Sequence, residues 1–442
     1  MNWFVPIIFL LTAVIIFYLA IKKPHIQIRK YRIETYAIGA LVGPLILFFT
    51  GYLASGDISS LTIGQVNPFN ILILFLSMVF ISIYLDEAGL MEYFARLALK
   101  FSGISAKKLF FSLYATVSIM TIFTSNDIII LTLTPFIYYF TKHAKLDPKP
   151  FLIAEFFAAN TLSILLIIGN PTNIYIASSY GIGFLEYLKA MILPSVIAML
   201  VNISLLYLIF RKSLEKKFRP ENSNPSLALK DKTGAIIGSV ILGICTILLV
   251  ISQAINIPMW KISFFSALAL VLIIFIRESY SINKKSEGSS LVKVFKRMPW
   301  SIVVFVLSFF LMTQALFKSI NFGEVYRGVW LATGSSDLTI LSIGFSSAII
   351  ANIINNIPMS VVFTKFIEFI PQNFQHAGIY AAIIGSNIGA YFTPFGALAG
   401  LMWMNILKDK GMKITYGEFI KYGLICGLLT LLGALIGLII FI

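Results

Sequence analysis

Four polar segments interrupt long apolar stretches of this chain, and their residue types suit the coordination of a small solute or ion more than the making of bonds. Ser125-Asn126-Asp127 and Asn355-Asn356-Ile357-Pro358 are two of them; Gly169-Asn170-Pro171-Thr172-Asn173 and Phe392-Thr393-Pro394-Phe395-Gly396 are the others. Pro and Gly release backbone N–H and C=O groups from a helix ladder, and inside a membrane such groups persist only where protein, water or a ligand satisfies them. Asn and Ser side chains add neutral donors and acceptors. A half-helix N-terminus offers partial positive charge to an anion, and a C-terminus offers carbonyls to a cation, so these segments can serve either sign of ion. A lone Pro or Gly break is also an ordinary kink; number and spacing set these four apart.

Asp127 is the one acid placed deep in the membrane by the spans described below. A carboxylate there is costly and by default marks an ion or proton pathway, the plain alternative being a cap on the helix that follows. Glu155, five residues after Pro150, is expected to lie shallow, as a surface carboxylate. His25, His143 and His376 fall in expected loops, and Cys245 and Cys426 lie far apart in apolar runs. No nucleophile–base pair or metal-ligating set sits on a span, so the chain reads as a non-enzyme without cofactor or metal centre. The small ion it needs is a coupling ion, H+ or Na+, with sodium sites expected at the tips and breaks.

The organisation follows from spacing. Shifted by about 230 positions, 125–127 falls on 355–357, Asn160 to Gly169 on Asn387 to Gly396, and Glu186-Tyr187-Leu188-Lys189 on Glu418-Phe419-Ile420-Lys421. A duplicated membrane domain with an interrupted helix in each copy is the sequence pattern of a secondary transporter. The Glu-aromatic-aliphatic-Lys quartets themselves read as interfacial anchors of span ends.

A composition of 58% hydrophobic and 12% charged residues, with a mean hydropathy of +0.91, excludes an ordinary soluble domain. The net charge of +15 is a topology signal and not a nucleic-acid surface, because most of the 34 Lys and Arg residues fall in six clusters, near 22–32, 96–108, 142–149, 211–232, 277–297 and 408–413. These are read as cytoplasmic; 55–68, nearly free of Lys and Arg, is read as outside. Spans are expected at roughly 3–21, 35–54, 69–86, 151–180 (interrupted) and 187–210, then 234–254, 261–276, 300–317, 377–404 (interrupted) and 418–441. Leu109–Thr141 and Leu338–Ile370 are too short for two crossings of about 20 residues each plus a turn. They read as re-entrant hairpins, the first entering from the cytoplasm and the second from outside. Five spans per copy invert the second copy and put both termini outside. The expected fold class is therefore an all-α, polytopic membrane protein of about ten transmembrane helices plus two re-entrant hairpins in two inverted repeats. The first repeat is 1–210 (hairpin near 109–141), the cytoplasmic linker 211–233, and the second repeat 234–442 (hairpin near 338–370).

At this point the residues carry a family resemblance. Phe123-Thr124-Ser125-Asn126-Asp127 through Leu133-Thr134-Pro135 resembles the first-hairpin motif of the arsenical pump membrane-protein family, within the wider ion transporter superfamily. Ala158-Ala159-Asn160-Thr161 with Gly169 to Asn173, then Gly183 to Tyr187, is similar to the family's first interrupted helix and the segment after it. Asn355 to Pro358 resembles its second tip, and Thr393 to Ala399 with Leu401-Met402-Trp403 resembles its second break. The resemblance spans essentially the whole chain. It implies a secondary active transporter of a small inorganic ion or oxyanion, with arsenite or antimonite efflux coupled to an ion gradient, an elevator-like movement of a hairpin domain against a scaffold, and often homodimers. Sodium/proton antiporters and sodium-coupled anion or dicarboxylate carriers are related and stay open as readings. An ion channel built from the same broken helices is the alternative of another class. No Lys or Arg falls among the site residues, which favours a neutral or weakly charged solute, or a cation, over a multivalent anion. The candidate binding residues are Ser125, Asn126, Asp127, Asn160, Thr161, Gly169, Asn170, Pro171, Thr172, Asn173, Asn355, Asn356, Ser386, Asn387, Thr393, Pro394 and Gly396, with Asp127 as coupling group. The expected partners are the substrate ion, the lipid bilayer of the cell membrane and a second copy of the chain, with no nucleic acid.

Overall fold

Apolar runs that must satisfy their own backbone groups in lipid become helices, and in the computed structural model helices account for nearly all regular structure. It describes residues 3–28, 31–59, 67–218, 224–280, 289–321, 323–324, 334–412 and 414–442. Pro220, Asn222 and Ser223 of the linker, and 60–66 of the loop at 55–68, lie outside the described residues.

The first half contains α1 (Phe4–Lys22), α2 (Thr35–Phe49), the short α3 (Ser55–Ser59), α4 (Pro68–Glu87), α5 (Leu90–Ser102), α6 (Ala106–Phe123), α7 (Asn126–His143), α8 (Lys149–Leu162), α9 (Pro171–Ser179) and α10 (Phe184–Phe210). The second half contains α11 (Lys232–Val250), α12 (Met259–Tyr280), α13 (Ser290–Arg297), α14 (Trp300–Ser319), α15 (Ser336–Ile354), α16 (Asn356–Ile367), α17 (Gln372–Ile388), α18 (Leu398–Asp409) and α19 (Tyr416–Phe441). Nine helical stretches among the described residues are long and apolar enough to cross a membrane.

Helix pairing follows the duplication. α14 packs on α2 as α4 packs on α12; α6 on α8 as α15 on α17; α7 on α18 as α16 on α9. α10 and α19 run along each other, a pairing that an exchange of the two halves maps onto itself. Ile236, Val240, Ile244 and Ile247 of α11 and Phe265, Leu272 and Phe275 of α12 are exposed, as side chains facing lipid are.

Both ends of the first hairpin meet residues 216–218, so its two helices leave and return at one end of the bundle. Ala106 N donates to Lys216 O at 3.2 Å and Phe218 N to Ile104 O at 3.0 Å, while the rings of Phe140 and Phe218 lie 5.8 Å apart. The start of α6 and the end of α7 therefore share one end of the bundle, called here the linker end, and the turn between them, at Thr124-Ser125, is buried in protein.

Four further elements, two strands and the helices α5 and α13, were not read from the sequence. β1 (His25–Ile28) and β2 (Tyr31–Glu34) form an antiparallel pair between α1 and α2. α5 buries Met91, Ala95, Ala98 and Leu99 and carries Glu92, Arg96 and Lys100, an amphipathic pattern too charged for a crossing, and α13 is short. His25 stands in β1, His143 ends α7 and His376 lies on α17, so none of the three is in a loop. The quartet at 418–421 does more than anchor: Thr415 and Glu418 form a capping box at α19, and Glu418 accepts from Lys149 Nζ at 2.8 Å.

Candidate functional site

The first tip is short of hydrogen-bond partners. Asn126 Nδ2 donates to Asn160 Oδ1 at 3.0 Å, and Asn160 Nδ2 in turn donates to Phe156 O. On the other side of the tip nothing closes: Ser125 Oγ and Asn126 Oδ1 are buried without a partner, and Ser125 makes no side-chain cap on α7. Buried polar atoms are nearly always paired, and these two adjacent acceptors are open to a water or a solute, as are other buried hydroxyls such as Ser118 Oγ and Thr132 Oγ1. Asp127, in the first turn of α7, is partly buried and makes no hydrogen bond or ion pair among the described residues. It lies within electrostatic reach of Tyr36 on α2.

Behind the tip the two broken helices cross, and their polar residues form one cluster. Asn387, near the end of α17, is its centre. Its Oδ1 accepts from Ser163 Oγ at 2.8 Å and Asn170 Nδ2 at 2.9 Å, and its Nδ2 donates to Asn173 Oδ1 at 2.7 Å and Ile383 O at 2.9 Å. Asn170 caps α9 by accepting from Thr172 N, with Pro171 in the first-turn position where its missing N–H is harmless. Thr172 Oγ1 and Ser386 Oγ lie 3.1 Å apart, and Thr161 Oγ1 and Tyr391 Oη 3.2 Å apart. Asn173 Nδ2 donates to the carbonyl of Ser163. Gly169 lets the chain fold back on that same residue, since a Cβ there would lie 2.3 Å from Ser163 O.

The second tip is tied to the second break through Asn355 and the Asn356 backbone, while the Asn356 side chain makes no hydrogen bond among the described residues. Asn355 has φ 75° and ψ 152°, a region that L residues other than Gly rarely enter and that costs about 1–3 kcal/mol. Its Oδ1 caps Ile357 N, its Nδ2 donates to Phe395 O, and Asn356 N donates to Gly396 O at 3.0 Å. Asn352, one turn earlier, donates to Ala348 O and Gly389 O and accepts from Thr393 N and Thr393 Oγ1. Tip and break are thus stitched together by side chains of their own, with Pro394 in the turn between them.

The structure therefore brings Ser125, Asn126, Asn160, Thr161, Asn170, Thr172, Asn173, Ser386 and Asn387 into one region, and joins Asn355, Asn356, Thr393 and Gly396 in a second. Asn126 and Asn356 are helical residues and not turn residues as expected. Ser163 and Asn352 were missed, though each stands three residues from a chosen Asn and so shares its helix face.

Glu155 corrects the sequence reading. It is 1% exposed, and Thr134 Oγ1 of α7 approaches both of its carboxyl oxygens, at 2.8 and 3.0 Å. Distance from the helix start misjudged it because α8 is buried all round from Pro150 to Leu162, as a core helix is. Among the described residues no group of three or more His, Cys, Asp or Glu stands ready to hold a metal ion.

A cavity of about 740 Å³ between α5, α6 and α11 borders the first tip at Phe123 and Thr124, and two further cavities lie near the helices of the site. One, of about 480 Å³, opens at the end opposite the linker and is lined by neutral polar groups, among them Asn67, Asn70, Ser178, Gln253 and Asn256. The other is a void of about 20 Å³ in an apolar seam, with Ile71, Phe75 and Phe310 on α4 and α14 facing Tyr175 and Val361 on α9 and α16.

Comparison with known proteins gives concordant matches. The profile of the family described as "Arsenical pump membrane protein" matches residues 6–442. The arsenical pump membrane protein of Escherichia coli strain K12 is 28% identical over 397 residues, covering 87% of this chain and 89% of that protein. A putative arsenical pump membrane protein of Bacillus subtilis is 26% identical over 418 residues, covering 90% and 92%. Among solved structures, the YdaH transporter of Alcanivorax borkumensis, described as having an unusual topology, superposes with a TM-score of 0.53 at 14% identity, covering 99% of this chain and 96% of that one; the likeness is one of fold.

Proposed function

We propose, from the premise that this chain belongs to the arsenical pump membrane protein family, that it exports arsenite or antimonite by coupling their movement to an ion gradient. The chain is a multi-pass membrane transporter. What supports the substrate is the pair of orphan acceptors, Ser125 Oγ and Asn126 Oδ1. Trivalent arsenic and antimony are carried in neutral water as uncharged hydroxides, whose O–H groups donate to such oxygens, and no Lys or Arg joins the polar cluster to demand an anion. Asn160, Thr161, Asn170, Thr172, Asn173, Ser386 and Asn387 shape the floor of this site, while Asn355, Asn356, Thr393 and Gly396 hold the second tip to the second break. Asp127, unpaired beside the tip, is the coupling group for a proton or a sodium ion.

The same orphan oxygens and the last-turn carbonyls of α6 also suit a sodium ion, which keeps sodium/proton antiport and sodium-coupled anion transport as the second reading. We assign 1–210 and 234–442 as the inverted repeats, 211–233 as a cytoplasmic linker, and both termini to the outside. The 480 Å³ vestibule is then the outer exit. An elevator-like movement, in a homodimer, fits the apolar seam between α4 with α14 and α9 with α16, across which few polar contacts need break. A cysteine placed at Ser213 should label only from the cytoplasmic side; labelling from outside intact cells contradicts the assignment.

The testing experiment is flux in liposomes containing the purified protein, comparing arsenite, sodium and a dicarboxylate under imposed proton and sodium gradients. Saturable, gradient-driven arsenite movement is expected. Arsenite-independent sodium/proton exchange points to the second reading, and continuous single-channel current points to a channel.

A further inference from the structure

Glu155 is 1% exposed on a helix buried all round, and no cation stands beside its carboxyl among the described residues. A threonine hydroxyl carries one hydrogen, yet Thr134 Oγ1 lies within hydrogen-bond distance of both carboxyl oxygens. One O–H can be shared between both oxygens of a carboxylate, but a carboxyl that brings a second hydrogen makes two separate bonds, Thr134 donating to one oxygen while the other, as O–H, donates to Thr134, and it leaves no buried charge. Trp403 Nε1–H, which meets no acceptor in good hydrogen-bond geometry, lies close enough to the same carboxyl to act as a second donor to it. It is a donor left waiting for an acceptor, and an ionised Glu155 would be one.

The surroundings offer no other compensation. The helices packed around Glu155 are α6, α7, α10, α17 and, through Trp403 and Phe419, α18 and α19. The charged groups on their linker-end segments include Lys107, Lys142, Lys149, Lys408 and Glu418, none of which bears on Glu155, and Lys149 and Glu418 are paired with each other. His376, Glu186 and Lys189 stand at the opposite end around a separate cavity, and Asp127 stands at the tip, two turns from Thr134. What does lead away from Glu155 is a stripe on α7 at helical spacing. Tyr138, one turn beyond Thr134, donates to Lys410 O at 2.8 Å and lies 3.3 Å from Lys142 Nζ, which is at the surface. The other end of the same helix pair is the site itself, because α7 and α8 are also joined by Asn126 and Asn160.

We propose that Glu155 is a proton-binding site of the carrier, holding an exchangeable proton in the state the structure describes and releasing it along the Thr134–Tyr138 stripe to the linker end when α7 shifts against α8. Trp403 and Thr134 then both donate to the carboxylate. The proposal rests on the reading of the chain as a gradient-driven carrier, and adds to it a titrating group distinct from Asp127.

Infrared spectroscopy and flux test it together. The purified wild type at neutral pH should show a protonated-carboxyl band that shifts in deuterium oxide and is missing in Glu155→Gln. In liposomes Glu155→Gln, a standing mimic of the protonated form, should keep substrate exchange without a gradient and lose at least tenfold of the uptake driven by a pH gradient. Trp403→Phe, which removes the waiting donor, should keep the band and move the pH profile of wild-type flux to higher pH. A band that survives in Glu155→Gln, or Glu155→Gln flux that follows a pH gradient like wild type, overturns the proposal. A wild type that transports arsenite but ignores pH gradients overturns the transport role of the proton while leaving the carrier reading intact, and a wild type that moves no arsenite overturns that reading while the band still decides the proton site.

Discussion

Ser125→Ala separates binding from folding, because the hydroxyl it removes is buried and bonded to nothing in the protein. Loss of a capping serine usually costs about 1 kcal/mol, but Ser125 makes no cap bond, so that loss does not apply. The unmade hydrogen bond leaves stability within about 0.5 kcal/mol of wild type, or slightly above it, since an orphaned polar group is replaced by a methyl. Binding behaves differently. If a hydroxide ligand donates to Ser125 Oγ in a site closed to water, its loss is worth about 1–3 kcal/mol, or roughly fivefold to a hundredfold in affinity. The assay is the concentration dependence of initial arsenite flux in liposomes, beside thermal unfolding in detergent. Asn352→Ala is the counterpart, since it breaks four internal bonds and should lower the unfolding temperature by several degrees. Unchanged flux in Ser125→Ala, or a melting temperature as low as that of Asn352→Ala, would refute the reasoning.

Asp127→Asn keeps shape while removing titration, and should leave folded protein that exchanges substrate yet no longer accumulates it against a gradient; wild-type pumping with an unchanged pH profile reduces Asp127 to a structural acid. Gly89→Ala should be strongly destabilising in thermal unfolding, because Gly89 has φ +90° and a Cβ would lie 1.9 Å from Ala228 O, where the corner between α4 and α5 meets the linker. Asp57 is held below its ordinary carboxylate range by the hydrogen bond from Lys318, with a second from Ala54 N. A depressed folded value means that its stabilisation is present above the unfolded value and is lost as pH falls through the folded one. Protease sensitivity of the segment around α3 should therefore rise on acidification, less so in Asp57→Asn or at high salt, where the pair is already screened or gone.

The membrane class, the hairpins and the duplication were legible because each is a pattern in one dimension: apolar length, basic loops and a recurring Asn-Pro or Gly-Pro island. In the candidate site, Asn126, Asn160, Asn170, Asn173 and Asn387 stood out by the same token, as polar residues with no reason to stand in apolar sequence, and the structure brings them together. Legibility failed where a partner from a distant helix decides the role. Glu155 looked like a surface carboxylate because its burial depends on α6, α7 and α10 closing round α8. The difference between the two tips was also hidden. Both carry Asn, but only the second has an Asn352 behind it that binds Thr393 and a Phe395 carbonyl in front that takes the amide of Asn355. The first keeps two oxygens free.

That asymmetry is the centre of the account, and locating a heavy ligand tests it most directly. Crystals of the purified protein soaked in antimonite and measured at a wavelength where antimony scatters anomalously should show a peak within hydrogen-bonding reach, through its hydroxyls, of Ser125 Oγ and Asn126 Oδ1, and the peak should vanish in Ser125→Ala with Asn126→Ala. A peak at the second tip or in the outer vestibule, with the first tip empty under the same soak, would contradict it.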